Sequence, residues 1–214
     1  MMETADIELP VYITDCFCGD ACPEDVLKQF DGRNEFRLGF MNEIKHSQEK
    51  PDRWHIVQAC VRRAIDEKED LFILCEYDHI FTARYDKDYL FSNIIGAYNQ
   101  GCDILCGGVG SFHDAVPLTR NRYWVDNFLI SSFTVIYRKL YRRILDEPHT
   151  ESLTPDQILS KITSHKMVLY PFISVRHYTK ADNLSPLQCE IMYRFSESGF
   201  RLRTYKRIFE QLNR

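Results

Sequence analysis

Three things that the 214-residue sequence lacks limit the classes of protein it can belong to: a long hydrophobic run, a surplus of basic residues, and any repeat or low-complexity segment. Without the ~18 consecutive apolar residues that a spanning helix needs, we expect no transmembrane segment. The formal net charge is −4, whereas nucleic-acid binding calls for a strong basic surplus, so we expect no nucleic-acid partner.

The N-terminal stretch MMETADIELP is acidic and has no apolar signal core. We therefore expect no secretory leader and a cytoplasmic protein. With 44% hydrophobic residues, the composition is that of a globular chain. We predict a single domain over 1–214, with a core at about 10–180 and a helical C-terminal tail at 186–214.

The eight cysteines do not form a zinc-finger pattern. Cys16, Cys18 and Cys22 are clustered, but they lack a second pair at finger-like spacing and a nearby histidine. In a chain without a leader the thiols are expected to be reduced, and we favour ordinary loop thiols over a metal site.

Strand and helix patterns alternate along the first half of the chain. Apolar runs typical of buried strands are VYITDC (11–16), EFRLGFM (35–41), LFILCE (71–76) and CDILCGG (102–108). Helical spacing occurs in CPEDVLKQF, PDRWHIVQACVRRAIDEKED and DKDYLFSNIIGAYNQG. This alternation predicts an α/β fold whose mostly parallel sheet lies between helices.

The second half is richer in β-branched and aromatic residues. RYWVDNFLISSFTVIY (122–137) predicts strand structure, and RKLYRRILDE and LTPDQILSKIT predict helices, the latter capped by Thr154. KMVLYPFISV reads as a strand interrupted by Pro171, which favours a place near a sheet edge. The tail from Pro186 has a helical composition.

Two carboxylates follow the most apolar strand, in the stretch LFILCEYDHIFT (71–82). Glu76 and Asp78 are two residues apart and would point the same way in an extended chain. Ligands of open α/β sheets bind beyond the carboxyl ends of the strands, and paired carboxylates suit Mg²⁺ or Mn²⁺. The alternative is that both acids only cap a turn, where Asp is common.

This stretch, the helix around Trp54 and the segment YLFSNIIGAYNQGCDILCGGVG resemble bacterial glycosyltransferases with the GT-A fold. The sequence is most similar to the lipopolysaccharide-type family that also includes collagen galactosyltransferase-like proteins. NRYWVDNFLISSFTVIYRKLYRRIL and DQILSKITSHKMVLYPFIS share the resemblance, which covers about Val11 to Ser174. Members carry Glu-Asp-Asp where this chain has Glu76-Tyr77-Asp78.

The resemblance implies a GT-A-like (Rossmann-like) fold and transfer of a hexose from a nucleotide diphosphate sugar, a UDP-sugar, to a glycan hydroxyl. The acceptor would be a surface polysaccharide or lipopolysaccharide. It also implies that Glu76 and Asp78 hold Mn²⁺ or Mg²⁺ on the nucleotide-sugar donor, with His177 as a candidate third ligand. Because Tyr77 replaces an acid, a non-catalytic member that binds nucleotide or glycan is an alternative. A metal-dependent nucleotidyl or phosphoryl transferase is another, since an acid pair at a strand end also suits that chemistry.

The fold also suggests residues for the nucleotide. Thr14 and Asp15 end the first predicted strand, where this fold places the nucleotide, although Asp15 could equally be a cap. Gly107 and Gly108 would let the backbone approach a ligand closely. Glycines also occur in ordinary turns, and we favour that interpretation. His79 could contact phosphate or could be a core-edge histidine.

Three further residues are candidates on the acceptor side. Asp156 lies at a helix start, where glycosyltransferases of this fold often place an acid, and could act as general base; the helix dipole alone also favours an acid there. Trp124 could stack on a sugar and Asp126 could hold its hydroxyls, although aromatics at strand spacing are more often core.

The C-terminal tail carries Arg201, Arg203, Lys206 and Arg207. They could contact an anionic membrane surface as a peripheral site. Glu197 and Glu210 balance them, so a solvated helix face is favoured.

Overall fold

In the computed structural model, the described residues are 7–14, 24–41, 53–148, 150, 152–176 and 184–212. Their strands are β1 (Leu9–Thr14), β2 (Phe36–Phe40), β3 (Leu71–Glu76), β4 (His79–Phe81), β5 (Ile104–Cys106), β6 (Val109–Ser111), β7 (Ala115–Pro117), β8 (Arg122–Val125), β9 (Leu129–Ser131), β10 (Phe133–Tyr137), β11 (Lys166–Leu169) and β12 (Ser174–Arg176). The helices are α1 (Glu24–Phe30), α2 (Arg53–Asp66), α3 (Lys87–Asn99), α4 (Tyr141–Asp146), α5 (Pro155–Ile162) and α6 (Pro186–Leu212).

A central eight-stranded sheet has the order β2-β1-β3-β10-β5-β11-β8-β7. β1 is parallel to β2 and β3, and β5 is parallel to β11. β10 runs antiparallel to both β3 and β5, and β8 runs antiparallel to both β11 and β7. Six of these eight strands therefore point one way, which confirms the mostly parallel α/β sheet. Two short pairs, β4 with β12 and β6 with β9, form small separate sheets.

Helices cover both faces of the central sheet, and the strand side chains alternate between the two. From β3, Phe72 and Leu74 pack with the buried residues of α2, α4, α5 and α6. Ile73 and Cys75 point to the other face and pack with those of α1 and α3. Because both faces are buried, this strand reads as a continuous apolar run rather than as an alternating pattern.

The predicted helix ends agree with local chemistry. Asp86 caps α3 by accepting a hydrogen bond from the Tyr89 amide, and Gly101 follows that helix at φ +77°. Thr154 and Gln157 form a reciprocal capping box at the start of α5. The Thr154 cap was predicted from the sequence and is confirmed, whereas the Asp86 cap and the part played by Gln157 were not predicted.

The prediction that the Pro171 strand lies near a sheet edge is wrong. β11 ends at Leu169 and lies inside the sheet, between β5 and β8. Pro171 instead falls in the link that carries the chain from β11 to β12, which pairs with β4 in a different sheet. The break in the pattern marks a change of sheet, because proline cannot donate to a continuing ladder.

Several sequence expectations concern residues that are outside the described ranges, namely Asp15, His177 and the Cys16, Cys18 and Cys22 cluster. Among the described cysteines, Cys60, Cys75, Cys102 and Cys106 are buried free thiols and Cys189 is an exposed one. Within the described part of the chain, no helix combines the length and apolar character needed to cross a membrane.

Candidate active site

Strand β3 carries Glu76 to the carboxyl edge of the central sheet. Glu76 is the last residue of the strand, and its N–H donates to the Ser132 carbonyl at 3.0 Å. Tyr77 and Asp78 form the turn into β4. The apolar run therefore delivers its two acids to the edge at which open α/β sheets bind ligands.

Asp78 forms a buried ion pair with Arg176. β12 pairs with β4 so that Arg176 is opposite His79, next to Asp78 in the chain. The Arg176 Nε lies 2.8 Å and 2.9 Å from the two Asp78 carboxylate oxygens, and one terminal nitrogen lies 2.7 Å from Oδ2. The Asp78 side chain is only 4% exposed. Both oxygens of this predicted metal ligand are thus occupied by a guanidinium.

A buried hydroxyl network fixes the strand that carries Arg176. The Ser174 Oγ lies 2.6 Å from the Ser132 Oγ and 2.7 Å from the His79 Nδ1. Burial, with a smaller effect of Arg33, lowers the pKa of His79 to about 3, so its ring is neutral. His79 also packs against Phe81 and Phe133. It is a core histidine rather than a phosphate contact.

Arg53 pairs with the other acid. Its guanidinium lies 3.1 Å from the Glu76 Oε2, and Arg53 is the first residue of α2. The start of this helix is anchored by Trp54, which is 1% exposed and donates its indole N–H to the Glu147 carbonyl at 3.2 Å. A cation in a first helical turn opposes the helix dipole, at a cost of about 0.3–1 kcal/mol, which Glu76 partly offsets.

Asp156 lies in the first turn of α5 and is held from one side by Ser131. Its carboxylate accepts the Ser131 backbone N–H at 2.9 Å and the Ser131 hydroxyl at 2.7 Å. Burial raises the pKa of Asp156, and the Ser131 hydrogen bonds together with Arg176 and Arg53 offset part of the rise. The neighbouring residue Ser132 accepts the backbone N–H of Glu76, so adjacent residues contact the chain at both acids.

These groups line one cavity of about 210 Å³ at the carboxyl end of β3. It contains Arg53, Glu76, Asp156 and Arg176, together with Leu129, Ile130, Thr154, Pro155 and Gln157. Ile130 has φ +58°. A left-handed β-branched residue is strained by about 1–2 kcal/mol, and such strain is concentrated at functional sites.

A larger cavity of about 610 Å³ lies at the opposite end of the strands, where β3 begins. It is lined by the residues at the start of β3, part of α3 and the end of β10: Asp70, Leu71, Ile94, Ile95, Tyr98, Tyr137, Arg138 and Lys139. Ligands of open α/β sheets bind at the carboxyl ends of the strands rather than at this end. The smaller, charged cavity is therefore the candidate active site.

Thr14, Gly107 and Gly108, predicted to bind the nucleotide, do not line this cavity. Thr14 is opposite Glu76 in the β1–β3 ladder, and its buried hydroxyl faces the Cys75 carbonyl at 3.4 Å. A Cβ on Gly108 would lie 2.0 Å from the Ser174 carbonyl oxygen. The absence of a side chain at Gly108 is thus explained by the close approach of β12.

Trp124 and Asp126 lie toward the amino ends of the parallel strands, because β8 runs antiparallel to them. The Trp124 indole donates to the Ser164 carbonyl at 2.8 Å. Asp126 accepts the backbone N–H groups of Asp114 and Asn127 at 2.8 and 2.7 Å, and these bonds lower its pKa despite burial. These two residues do not line the cavity that contains Glu76, and their contact with a sugar stays a prediction.

The sequence-based prediction missed Arg53 and Arg176. A signal existed for Arg53, because the described first turn of α2 has no acid and begins with a cation, against the usual preference. No local signal identified Arg176, which meets Asp78 only through pairing of strands 98 residues apart.

The described residues do not fit a resident divalent cation at Glu76 and Asp78. A cation bound by Asp78 would lie against the guanidinium that already bonds both oxygens. In the described part of the chain, His113, Asp114 and Asp126 form a group of possible metal ligands, with donor atoms within 4.8 Å of one another. This group does not include Glu76 or Asp78. Two members of that group are largely exposed, and their mutual hydrogen bonds suit an ordinary turn.

No family model matches the sequence, and no curated protein matches it. Solved structures are similar to the chain only at a low level. A197 from STIV has 12% identity and a TM-score of 0.44, covering 76% of this chain and 82% of that one. A glycosyltransferase involved in glycosylation of the major capsid of PBCV-1 has 8% identity and a TM-score of 0.44, covering 75% and 81%. Apo UDP-glucose pyrophosphorylase has 9% identity and a TM-score of 0.45, covering 92% and 81%. Similarity of this extent assigns neither a family nor an activity to the chain.

Proposed function

We propose that the chain is a glycosyltransferase that moves a hexose from a nucleotide diphosphate sugar, a UDP-sugar, to a hydroxyl of a glycan. One observation carries the proposal: the Asp156 carboxylate, held by two hydrogen bonds from Ser131, shares a cavity at the carboxyl end of β3 with two guanidinium groups. The arrangement sets a base beside groups that attract phosphate.

The proposed role of Asp156 is that of a general base. As the acceptor oxygen attacks the anomeric carbon, its proton passes to the Asp156 carboxylate. The bond from the anomeric carbon to the diphosphate oxygen breaks, and the nucleoside diphosphate leaves with the electron pair. A carboxyl group whose pKa is raised by burial is a stronger base than an exposed aspartate, which favours this proton transfer.

The acceptor class rests on the sequence resemblance. A surface polysaccharide or a lipopolysaccharide is the acceptor that the resemblance implies, and the described residues do not distinguish between them. A panel of such glycans, assayed for UDP release from UDP-hexoses, identifies the acceptor.

The test of the proposed base is Asp156→Asn. We expect this change to reduce UDP release at least a hundredfold, since general bases contribute about 10²–10⁴-fold, while UDP binding is retained. The matched control is Asp88→Asn, because Asp88 is likewise the second residue of its helix but is exposed on α3. Full transfer by Asp156→Asn would contradict the proposal.

A non-catalytic member that binds nucleotide or glycan is the second candidate, favoured by the occupied carboxylate of Asp78. That candidate predicts UDP or glycan binding without turnover across the whole acceptor panel. Release of pyrophosphate from UTP and a hexose 1-phosphate, with no release of UDP from UDP-hexoses, would indicate nucleotidyl transfer instead.

A further inference from the structure

Two arginines reach the candidate active site from distant parts of the chain. Arg53 is the first residue of α2, and Arg176 is the last residue of β12. Both line the cavity that contains Glu76 and Asp156. Two guanidinium groups in one small cavity form a surface suited to phosphate, which arginine binds through paired N–H donors.

Each arginine is oriented by an acid of the Glu-x-Asp motif. Asp78 binds Arg176 through Nε and one terminal nitrogen, and the Arg176 side chain is 15% exposed. Glu76 binds Arg53, whose side chain is 47% exposed. A guanidinium carries five N–H donors, so an arginine fixed along one edge by a carboxylate can also donate to a second anion. The acids thus preorganise the arginines.

The cavity suits phosphate groups in its electrostatics and its size. Helices α2 and α5 both begin at its wall, with Arg53 and Pro155 as their first residues, and helix N-termini favour negative charge. Its volume of about 210 Å³ is smaller than the roughly 300–1,000 Å³ of whole-ligand pockets. It would hold the diphosphate rather than the complete nucleotide sugar.

The two arginines already balance part of the negative charge of Glu76 and Asp78. Glu76 and Asp78 each face a guanidinium, so a divalent cation at either acid would have to displace an arginine or lie beside it. Asp156 is bound instead to Ser131, on the α5 side of the cavity. The arginines therefore take the place in which the resemblance would put a metal ion.

We infer that Arg53 and Arg176 hold the donor's diphosphate directly, as an arginine clamp that binds without a divalent cation. The identity of the ligand as a nucleoside diphosphate rests on the proposed glycosyltransferase function. The clamp would also stabilise the charge that develops on the leaving diphosphate when the sugar is transferred.

The test is calorimetric titration of UDP into the full chain, first in excess EDTA and then with Mn²⁺. We expect the two dissociation constants to agree within about twofold. Arg53→Gln and Arg176→Lys should each weaken binding tenfold or more, because hydrogen bonds to charged groups are the strong ones. Arg138→Gln is the matched control, since Arg138 forms an exposed ion pair with Asp70 at the far end of β3 and should bind as wild type.

A neutral residue at position 176 would leave the buried Asp78 without this partner. We therefore chose Arg176→Lys, which keeps the positive charge. A thermal unfolding curve for each variant shows whether it is folded. Arg53, at the more exposed position, carries the test if Arg176→Lys is unfolded.

Binding of UDP that needs Mn²⁺ and is unchanged in the Arg53→Gln variant would overturn the clamp and leave the proposed transfer intact. Pyrophosphate, titrated in EDTA as a second probe, separates the two proposals. Arginine-dependent pyrophosphate binding without turnover of any UDP-hexose would support the clamp and contradict the transferase. No binding of either probe would overturn both.

Discussion

Asp156 combines the properties that the candidate active site requires of one residue. It is half-buried, and burial raises the pKa of its carboxyl group, while the backbone N–H and hydroxyl of Ser131 fix the direction of the carboxylate. Arg53 and Arg176 are close enough to lower its pKa in part. A group tuned by opposing effects of this kind is typical of functional sites.

The raised pKa of Asp156 predicts a pH-dependent effect of Asp156→Asn on stability. The folded protein holds the Asp156 proton more tightly than the unfolded chain does. The resulting stabilisation is complete below the ordinary value of 3.8 and is lost as the pH rises through the folded-state pKa. Ionised Asp156 is therefore a cost at neutral pH. Urea unfolding should show that Asp156→Asn is less destabilising at pH 7 than at pH 4, and the opposite order would contradict the raised pKa.

Gly108 permits the close approach of β12, and its substitution tests that contact. Gly108→Ala would push a Cβ to 2.0 Å from the Ser174 carbonyl oxygen, and we expect a loss of about 1–3 kcal/mol in the free energy of unfolding. Gly199→Ala is the matched control. Its Cβ would meet nothing nearer than 3.7 Å, inside α6, so a gain of up to about 1 kcal/mol is expected. Equal effects of the two changes in denaturant titrations would rule out the contact.

Helix α5 and strand β12 bring Asp156 and Arg176 to the cavity at the carboxyl end of β3. Thr154 and Gln157 form the capping box at the start of α5, and Asp156 lies in the first turn of that helix. The pairing of β12 with β4 places Arg176 beside Asp78. Each element is short, so its position depends on these specific end contacts.

Loss of the α5 cap should weaken the element that holds the proposed base. Thr154→Ala removes the acceptor of the Gln157 N–H, and we expect the free energy of unfolding to fall by about 1 kcal/mol. Thr154→Ser keeps a hydroxyl at the same place and should stay within a few tenths of wild type. Chemical denaturation measures both changes, and a Thr154→Ala variant as stable as the serine variant would show that the cap contributes nothing.

Much of this arrangement could be predicted from the sequence where the signal is local. The apolar run before Glu76 and the Thr154–Pro155 start of α5 each follow from neighbouring residues, and both predictions are confirmed. The insertion of β10 between β3 and β5, and the meeting of Arg176 with Asp78, were not predicted. Pairing between distant strands is decided by the packing of the whole sheet and not by local pattern.

At the scale of the whole molecule, the long helix α6 extends the fold beyond the sheet. It packs through Ile191, Phe195 and Leu202. Arg201 is only partly exposed, because its guanidinium donates to the Phe112 and His113 carbonyls and stacks over the Phe112 ring. Contact with a membrane surface stays a prediction for the outer face of this helix.

Sedimentation with lipid vesicles tests that prediction. The exposed face of α6 places Phe200 and Ile208 beside Arg203 and Arg207, and each basic residue near an anionic surface contributes about 1 kcal/mol. We expect binding to vesicles with anionic lipid at low salt, and its loss in Arg203→Glu/Arg207→Glu. Absence of wild-type binding to such vesicles would contradict a peripheral membrane site.

A crystal structure of the protein soaked with UDP in metal-free solution, and then with UDP and Mn²⁺, tests the arginine clamp directly. We expect diphosphate density in the cavity at the carboxyl end of β3, with phosphate oxygens within hydrogen-bonding distance of Arg53 and Arg176 in both soaks. UDP in the larger cavity at the opposite end of the strands, or Mn²⁺ bound to Asp78 with Arg176 displaced, would contradict the clamp.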